Sequence, residues 1–110
     1  MTRFPPIGAM RHRVRLDKAF ETPDLAGGVV RAWLPVSTLW AAIEPVDRRA
    51  DLHGDAPSSI ATHRVTIRWR SDVEAGQRIA YGVRRFEILT AADPDERRHR
   101  LHLMVEEIAV

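Results

Sequence analysis

The sequence predicts an all-β fold, a small β-barrel or sandwich of about six to seven strands, with one short helix in a long loop. Three observations support this class. Apolar and polar residues alternate within several short segments, turn residues separate those segments, and no strand–helix–strand rhythm appears. Side chains on a strand point alternately to its two faces, so each such segment has one apolar face and one polar face.

The clearest strand lies at residues 62–70, which read T-H-R-V-T-I-R-W-R. Its apolar face is predicted to contain His63, Val65, Ile67 and Trp69. Its opposite face is cationic, with Arg64, Arg68 and Arg70 beside Thr66. The β-branched and aromatic residues suit a half-buried strand, and we interpret this segment as the middle strand of the fold.

The first half of the chain predicts three more strands. Residues 10–18 alternate with an arginine-rich outer face (Arg11, Arg13, Arg15), and the turn residues at 21–28 join them to a strand at 29–36. Pro35 places part of that strand at an edge or an irregularity. Residues 38–46 form a further strand. We expect Trp33 and Trp40 to pack in the core, with a subunit contact as the alternative.

The second half predicts two short strands at 78–81 and 85–91, joined by a hairpin connection at 82–84, and a closing strand at 98–107. The closing strand is expected to direct its alternate apolar residues inward, namely Leu101, Leu103 and Val105. His12 and His63 fall on inner faces and are expected to be hydrogen-bonded, semi-buried histidines.

Residues 45–61 break the alternating pattern with a polar stretch punctuated by Gly54 and Pro57. Asp47 is suited to cap a short helix over residues 48–53. A segment of this length inside a compact domain is usually functional or disordered. We therefore predict a single domain over residues 1–110 that contains one mobile loop, 45–61.

Composition excludes several classes of protein. The chain has 110 residues and no cysteine, so disulfides and thiolate chemistry are excluded. The net charge is +2, and Lys18 is the only lysine among 17 basic residues. No run approaches the ~20 apolar residues of a membrane span, so no membrane partner is expected.

Catalytic chemistry is not indicated. Asp51, His53 and Asp55 resemble a metal cluster, but no other residues complete a ligand shell at recognisable spacing. A solvated loop is the favoured interpretation. No phosphate-binding glycine loop, nucleophile elbow or paired-carboxylate signature is present. We expect no enzymatic activity, no cofactor and no bound metal.

The arginine faces allow two interpretations. A cationic stripe could follow DNA phosphates, but the strand aromatics point inward and leave no platform for base stacking. Arginines that are solvated at the surface or that form contacts between subunits are therefore favoured over DNA reading. In either case the predicted contact residues are Arg11, Arg13, Arg15, Arg64, Arg68 and Arg70.

An ordered set of segments resembles one family. The segments are I-G-A-M-R-H-R-V-R-L at 7–16, Trp33 with W-A-A-I-E-P at 40–45, residues 62–70, A-G-Q-R-I at 75–79, and a tail at 86–107. Together they resemble the head–tail joining proteins (stopper, or head-completion) of long-tailed phages and gene transfer agents. The departure lies at 45–61, where Asp47-Arg48-Arg49 and Pro57-Ser58-Ser59 differ from the family pattern.

The resemblance implies a structural connector of a virion or virion-like particle. Such proteins form a homo-oligomeric ring, generally a dodecamer, at the head–tail interface, with the portal or adaptor above and the tail terminator or tail tube below. Double-stranded DNA passes through the channel, and in some relatives a loop helps to retain it. Here that loop would carry Asp47, Arg48, Arg49, Asp51, His53 and Asp55. The alternatives are a tail terminator ring and a monomeric DNA-binding small β-barrel.

Overall fold

A computed structural model of the chain describes residues 10–46 and 61–109. Six antiparallel strands form one sheet that closes into a barrel in the order β1-β2-β3-β6-β5-β4. The strands are β1 (His12–Pro23), β2 (Val29–Pro45), β3 (His63–Arg68), β4 (Arg78–Tyr81), β5 (Arg84–Ala92) and β6 (Arg100–Ile108). The predicted all-β class is confirmed, and the architecture is the barrel.

Alternation along the strands builds the core. β2 contributes the buried Ala41, and β-branched and leucine side chains from the other five strands point into the barrel and are fully or almost fully buried. They are Val14, Leu16, Val65, Ile67, Ile79, Ile88, Leu101, Leu103 and Val105, packed around Phe86. The predicted inward faces of the 62–70 and 98–107 segments are thus correct.

The structure corrects one pair of predicted strands. Residues 29–36 and 38–46 form a single strand, β2, instead of two. The register with β1 shifts between Leu16–Ser37 and Asp17–Pro35, so Val36 is an extra residue in β2, a β-bulge. Pro35 lies beside this bulge, where proline is tolerated, and the strand continues past it.

The β1–β2 hairpin extends beyond the barrel. β4 pairs with β1 only over Arg15–Asp17, and β3 pairs with β2 only from Ala41 onward. The remaining part of the hairpin, residues 18–34, is a two-stranded ribbon, and the molecule measures 53 × 33 × 27 Å. Asp24 closes the tip of the ribbon by accepting hydrogen bonds from the amides of Ala26 and Gly28, both at 2.8 Å.

The predicted helix at 48–53 lies outside the described residues. Among the residues that the structure describes, no helix is long and apolar enough to cross a membrane.

Candidate assembly surfaces

The arginines predicted as contact residues lie on two separate parts of the barrel surface. Arg13 and Arg15 lie on β1, which begins directly after Arg11, whereas Arg64 and Arg68 lie on β3. β2 lies between β1 and β3 in the barrel. The two groups therefore do not form one continuous stripe.

Two of these arginines are held by carboxylates of the same chain. Arg15 donates two hydrogen bonds to Asp17, at 2.6 and 2.9 Å, and Arg70 donates two to Asp72, at 2.9 and 2.8 Å. Arg15 and Asp17 lie two residues apart in β1, which places both side chains on one side of the strand. Arg70 and Asp72 lie at the turn that follows β3. Hydrogen bonding to the carboxylate is the main cause that raises the pKa of each arginine. An external anion would have to displace these carboxylates.

Trp40 lies on the outside of the barrel, so its predicted core position is wrong. It is the cross-strand partner of Arg13, whose guanidinium lies 5.2 Å from the centre of the indole ring. Trp40 is 52% exposed. Trp33 also lies on the outer face and is half-buried beneath Arg78, whose guanidinium lies 4.0 Å from the ring centre. Stacking of a guanidinium on indole stabilises both groups at the surface.

A cationic surface covers part of β3 and β6, and we call it the basic face. Arg68 lies directly opposite Arg100, and Thr66 lies opposite His102. Arg64 lies on the same outer side, with Glu44 as its cross-strand partner on β2. The pKa of His102 is lowered, mainly by burial and also by Arg64 and Arg100. The basic face thus consists of Arg64, Arg68, Arg100 and His102.

A polar cluster closes one end of the core. Arg84 of β5 donates hydrogen bonds to Glu107 of β6 at 2.8 and 3.1 Å, and its guanidinium lies 4.9 Å from the centre of the Phe86 ring. His63 of β3 packs edge-on against the same ring, and burial is the main cause that lowers its pKa. The cluster therefore joins three strands across the barrel end.

The predicted hydrogen bonding of the inward histidines is found. The Nδ1 atom of His12 lies 2.8 Å from the Tyr81 hydroxyl, and the Nδ1 atom of His63 lies 2.9 Å from the Thr62 hydroxyl. Both rings have partners within the chain that fix their orientation.

The ribbon carries an apolar surface outside the barrel. Phe20, Val30 and Leu34 are 50%, 53% and 48% exposed. The register pairs Phe20 with Ala32, Val30 with Thr22 and Leu34 with Lys18, so these side chains share one face of the ribbon. We call this surface the ribbon face.

Comparison with protein families identifies the family of the chain. The model of the phage head completion protein family matches residues 5–108. The chain belongs to the phage head completion protein family. This head completion protein is therefore a structural protein of the head–tail region of a virion.

Two solved structures resemble this head completion protein. A protein of Shigella flexneri 2a, solved in solution, superposes with a TM-score of 0.73 and 30% identity, covering 94% of this chain and 96% of that one. A chain in the virion of a native gene transfer agent particle gives a TM-score of 0.68 and 22% identity, covering 91% and 96%. The second likeness shows a shared fold. No curated protein matches the sequence.

The predicted channel-loop residues of this head completion protein lie outside the described residues. They include Asp51, His53 and Asp55, the three residues considered as a metal cluster. In the described ranges, 10–46 and 61–109, no three acidic or histidine side chains are grouped so as to hold a metal ion.

Sequence reasoning missed two members of the basic face, Arg100 and His102, as well as the exposure of Trp40. A signal for the first two was present, because the alternation R-L-H-L-M-V directs Arg100 and His102 away from the core. The missing information was that β6 pairs with β3, which places these side chains beside Arg64 and Arg68.

Proposed function

We propose that this head completion protein acts as a stopper. Copies of the chain form a closed ring, of twelve subunits as in the family generally, between the portal or its adaptor and the tail. DNA passes through the ring or is retained by it. The family match over residues 5–108 supports a position in the virion neck, and the fold shared with a gene transfer agent chain is consistent with it.

The observation that carries the DNA part of the proposal is the basic face. Arg68 and Arg100 are direct cross-strand neighbours, and like charges at such positions destabilise a sheet. Arg64 adds a third cation on the same side of the sheet. Cations gathered on one side of a sheet are suited to contact the phosphates of a polyanion. In a ring the face would recur once in each subunit around the channel.

The same surface argues against the alternative of a monomeric barrel that reads DNA. Trp69 packs against the core and has the Arg98 guanidinium 5.4 Å from its ring centre, so its ring already has contacts within the chain. Proteins that bind single strands stack bases on exposed aromatic rings. The basic face offers phosphate contacts without such a platform.

Removal of the gene tests the role in the particle. We expect filled heads that lose DNA and do not join tails, together with tails of normal length, as electron microscopy would show. Tails of excessive length would instead identify a tail terminator. Normally tailed, infectious or transducing particles without this chain would refute the proposal.

A salt titration of DNA binding by the purified protein distinguishes the proposed ring subunit from a monomeric DNA-binding barrel. For a protein that binds DNA through its phosphates, the logarithm of the binding constant falls steeply and linearly with the logarithm of the salt concentration. We expect an isolated subunit to bind double-stranded DNA only weakly at physiological salt, because one basic face supplies few phosphate contacts. Tight binding by a monomer would favour the DNA-binding barrel.

The loop is tested by deleting residues 47–59. We propose, from the family resemblance, that this segment helps to retain DNA. The deletion is expected to leave the barrel folded and to yield particles that leak DNA or fail to join tails. Circular dichroism and urea unfolding provide the control for folding. Particles that retain DNA and transduce normally would show that the loop has no such role.

A further inference from the structure

The ribbon face continues the core-lining side of the hairpin. Leu16 points into the barrel, and Lys18 and Phe20 follow it on the same side of β1 because side chains alternate. On β2 the bulge at Val36 keeps Leu34 and Val30 in register with that side. An apolar face that is buried inside the barrel thus extends into solvent on the ribbon.

This exposure requires a structural explanation. A two-stranded ribbon is at best marginally stable in water without a covering surface. Large contiguous apolar patches on a soluble protein mark interaction sites. The ribbon face has an aromatic ring and two branched aliphatic side chains, each about half exposed. We conclude that a partner covers it in the assembled state.

A second exposed surface, with an aromatic ring at its centre, lies on the outside of the barrel. Trp40, with Arg13 over its ring, is the centre of this surface, and Glu44 lies on the same outer side of β2. We call it the Trp40 patch. Tryptophan and arginine are the residues most enriched at the energetic centres of protein interfaces.

We propose that the ribbon face of one subunit packs on the Trp40 patch of the next copy of the same chain. This inference rests on the proposed ring. Trp40 and Leu34 lie on one strand but on opposite sides of the hairpin, so a ribbon cannot cover the Trp40 patch of its own chain. A contact between two different surfaces of identical chains is head-to-tail, and such contacts generate rings.

Stoichiometry and charge support a second copy of the chain as the partner that covers the ribbon face. Each chain presents one ribbon face and one Trp40 patch, so a ring of copies covers every face once. Lys18 lies at the base of the ribbon face, and Glu44 lies beside the Trp40 patch; both are exposed. Neither forms an ion pair in the part of the chain that the structure describes. Opposite charges of this kind fix the register between partners.

Cross-linking in particles tests the contact. The chain has no natural cysteine, so Val30→Cys and Thr38→Cys can be introduced without background. Thr38 is exposed and lies two residues before Trp40 on the same side of β2, so the indole ring is kept. Particles with both substitutions in one chain, treated with a short bismaleimide, are expected to give a ladder of multimers on denaturing gels. Each single substitution is expected to give no multimers. Val83→Cys with Thr38→Cys is the control, because Val83 is 86% exposed and belongs to neither surface.

Each other outcome overturns the inference. Dimers from Val30→Cys alone would show ribbon packing on ribbon, and products of Val30→Cys with a different virion protein would show another partner. Absence of multimers, or an equal yield from the control pair, would exclude the contact. The proposed function fails separately, namely if the chain is not present in purified particles.

A charge substitution supplies the functional test. Phe20→Asp is expected to lower the yield of tailed particles at least tenfold, because it places a carboxylate in the interface. Leu25→Asp, at the fully exposed tip, changes charge equally and is expected to leave the yield unchanged. Urea unfolding of both variants verifies that the barrel is intact. A normal particle yield from Phe20→Asp would refute the contact.

Discussion

The two halves of the β1–β2 hairpin share one backbone ladder but lie in different environments. In the barrel half, Val14 and Leu16 are 1% and 0% exposed, whereas in the ribbon half Phe20 and Val30 are 50% and 53% exposed. In both halves these apolar side chains lie on the same side of the hairpin. The difference arises because β3 and β4 flank only the barrel half. An apolar strand face therefore indicates that some surface packs against it, but it does not show whether that surface belongs to the same chain or to a partner.

Core truncation should give the largest difference between the two halves. Phe86→Ala removes a fully buried ring against which His63 and Arg84 pack, and we expect a loss of about 3–5 kcal/mol in the free energy of unfolding. Val30→Ala in the ribbon should cost about 0.5 kcal/mol or less. Urea denaturation of the purified subunit measures both. Equal losses would show that the ribbon is packed in the free subunit.

The ion pair at the junction between barrel and ribbon should have the next largest effect. The Asp17 side chain is 3% exposed and accepts two hydrogen bonds from Arg15. Asp17→Asn weakens a buried, charge-assisted contact, and we expect a loss of about 1–3 kcal/mol.

The matched control for this variant is Asp72→Asn, in which the carboxylate is 45% exposed and also pairs with an arginine two residues away. A loss of about 0.2–1 kcal/mol is expected. A larger loss from Asp72→Asn than from Asp17→Asn would contradict the view that the junction is held by the buried pair.

Removal of a charge from the basic face should raise the stability of the free subunit, in contrast to the losses expected above. Arg68→Gln removes one of two like charges at direct cross-strand positions, so we expect a gain of about 0.2–1 kcal/mol in the stability of the free subunit. The same variant should retain DNA less well in particles. Arg97→Gln, in an exposed bend, is the control for loss of a single charge. A destabilised Arg68→Gln subunit would show that this charge is satisfied within the chain.

Acidification should have the smallest effect. The pKa of His102 is lowered from 6.5 in the folded protein, mainly by burial, while Arg64 and Arg100 lower it further and Glu44 opposes them. Below pH 6.5 the unfolded chain therefore binds more protons than the folded chain, and stability falls as the pH decreases. Denaturation at pH 7.5 and 5.5 measures this loss, which His102→Gln should reduce. His99→Gln, whose ring is 65% exposed, should not.

The sequence predicted most of the barrel because its core residues alternate without interruption. Val65 and Ile67, and likewise Leu101 and Leu103, could be assigned to the interior from their spacing alone. The continuity of β2 could not be assigned, because Pro35 is as compatible with a strand end as with a bulge.

The surfaces were less predictable for a different reason. Trp40 follows the apolar pattern, and only its pairing with Arg13 shows that it faces outward. Asp17 falls on an outer face, yet it is buried because Arg15 and the neighbouring β4 strand cover it. The basic face depends on the pairing of β3 with β6, which the spacing of residues within either strand does not contain.

The pairing that closes the barrel is short, and this has a consequence for the timing of folding. Only three residue pairs join β1 to β4, and they link Arg15–Asp17 to Arg78–Ala80 across more than half of the sequence. Pairings of such long range form late and slowly. A nascent chain cannot complete its barrel until β6, which joins β3 to β5, has also left the ribosome. A truncated translation product would therefore lack a closed body and could not enter the neck in place of a finished subunit.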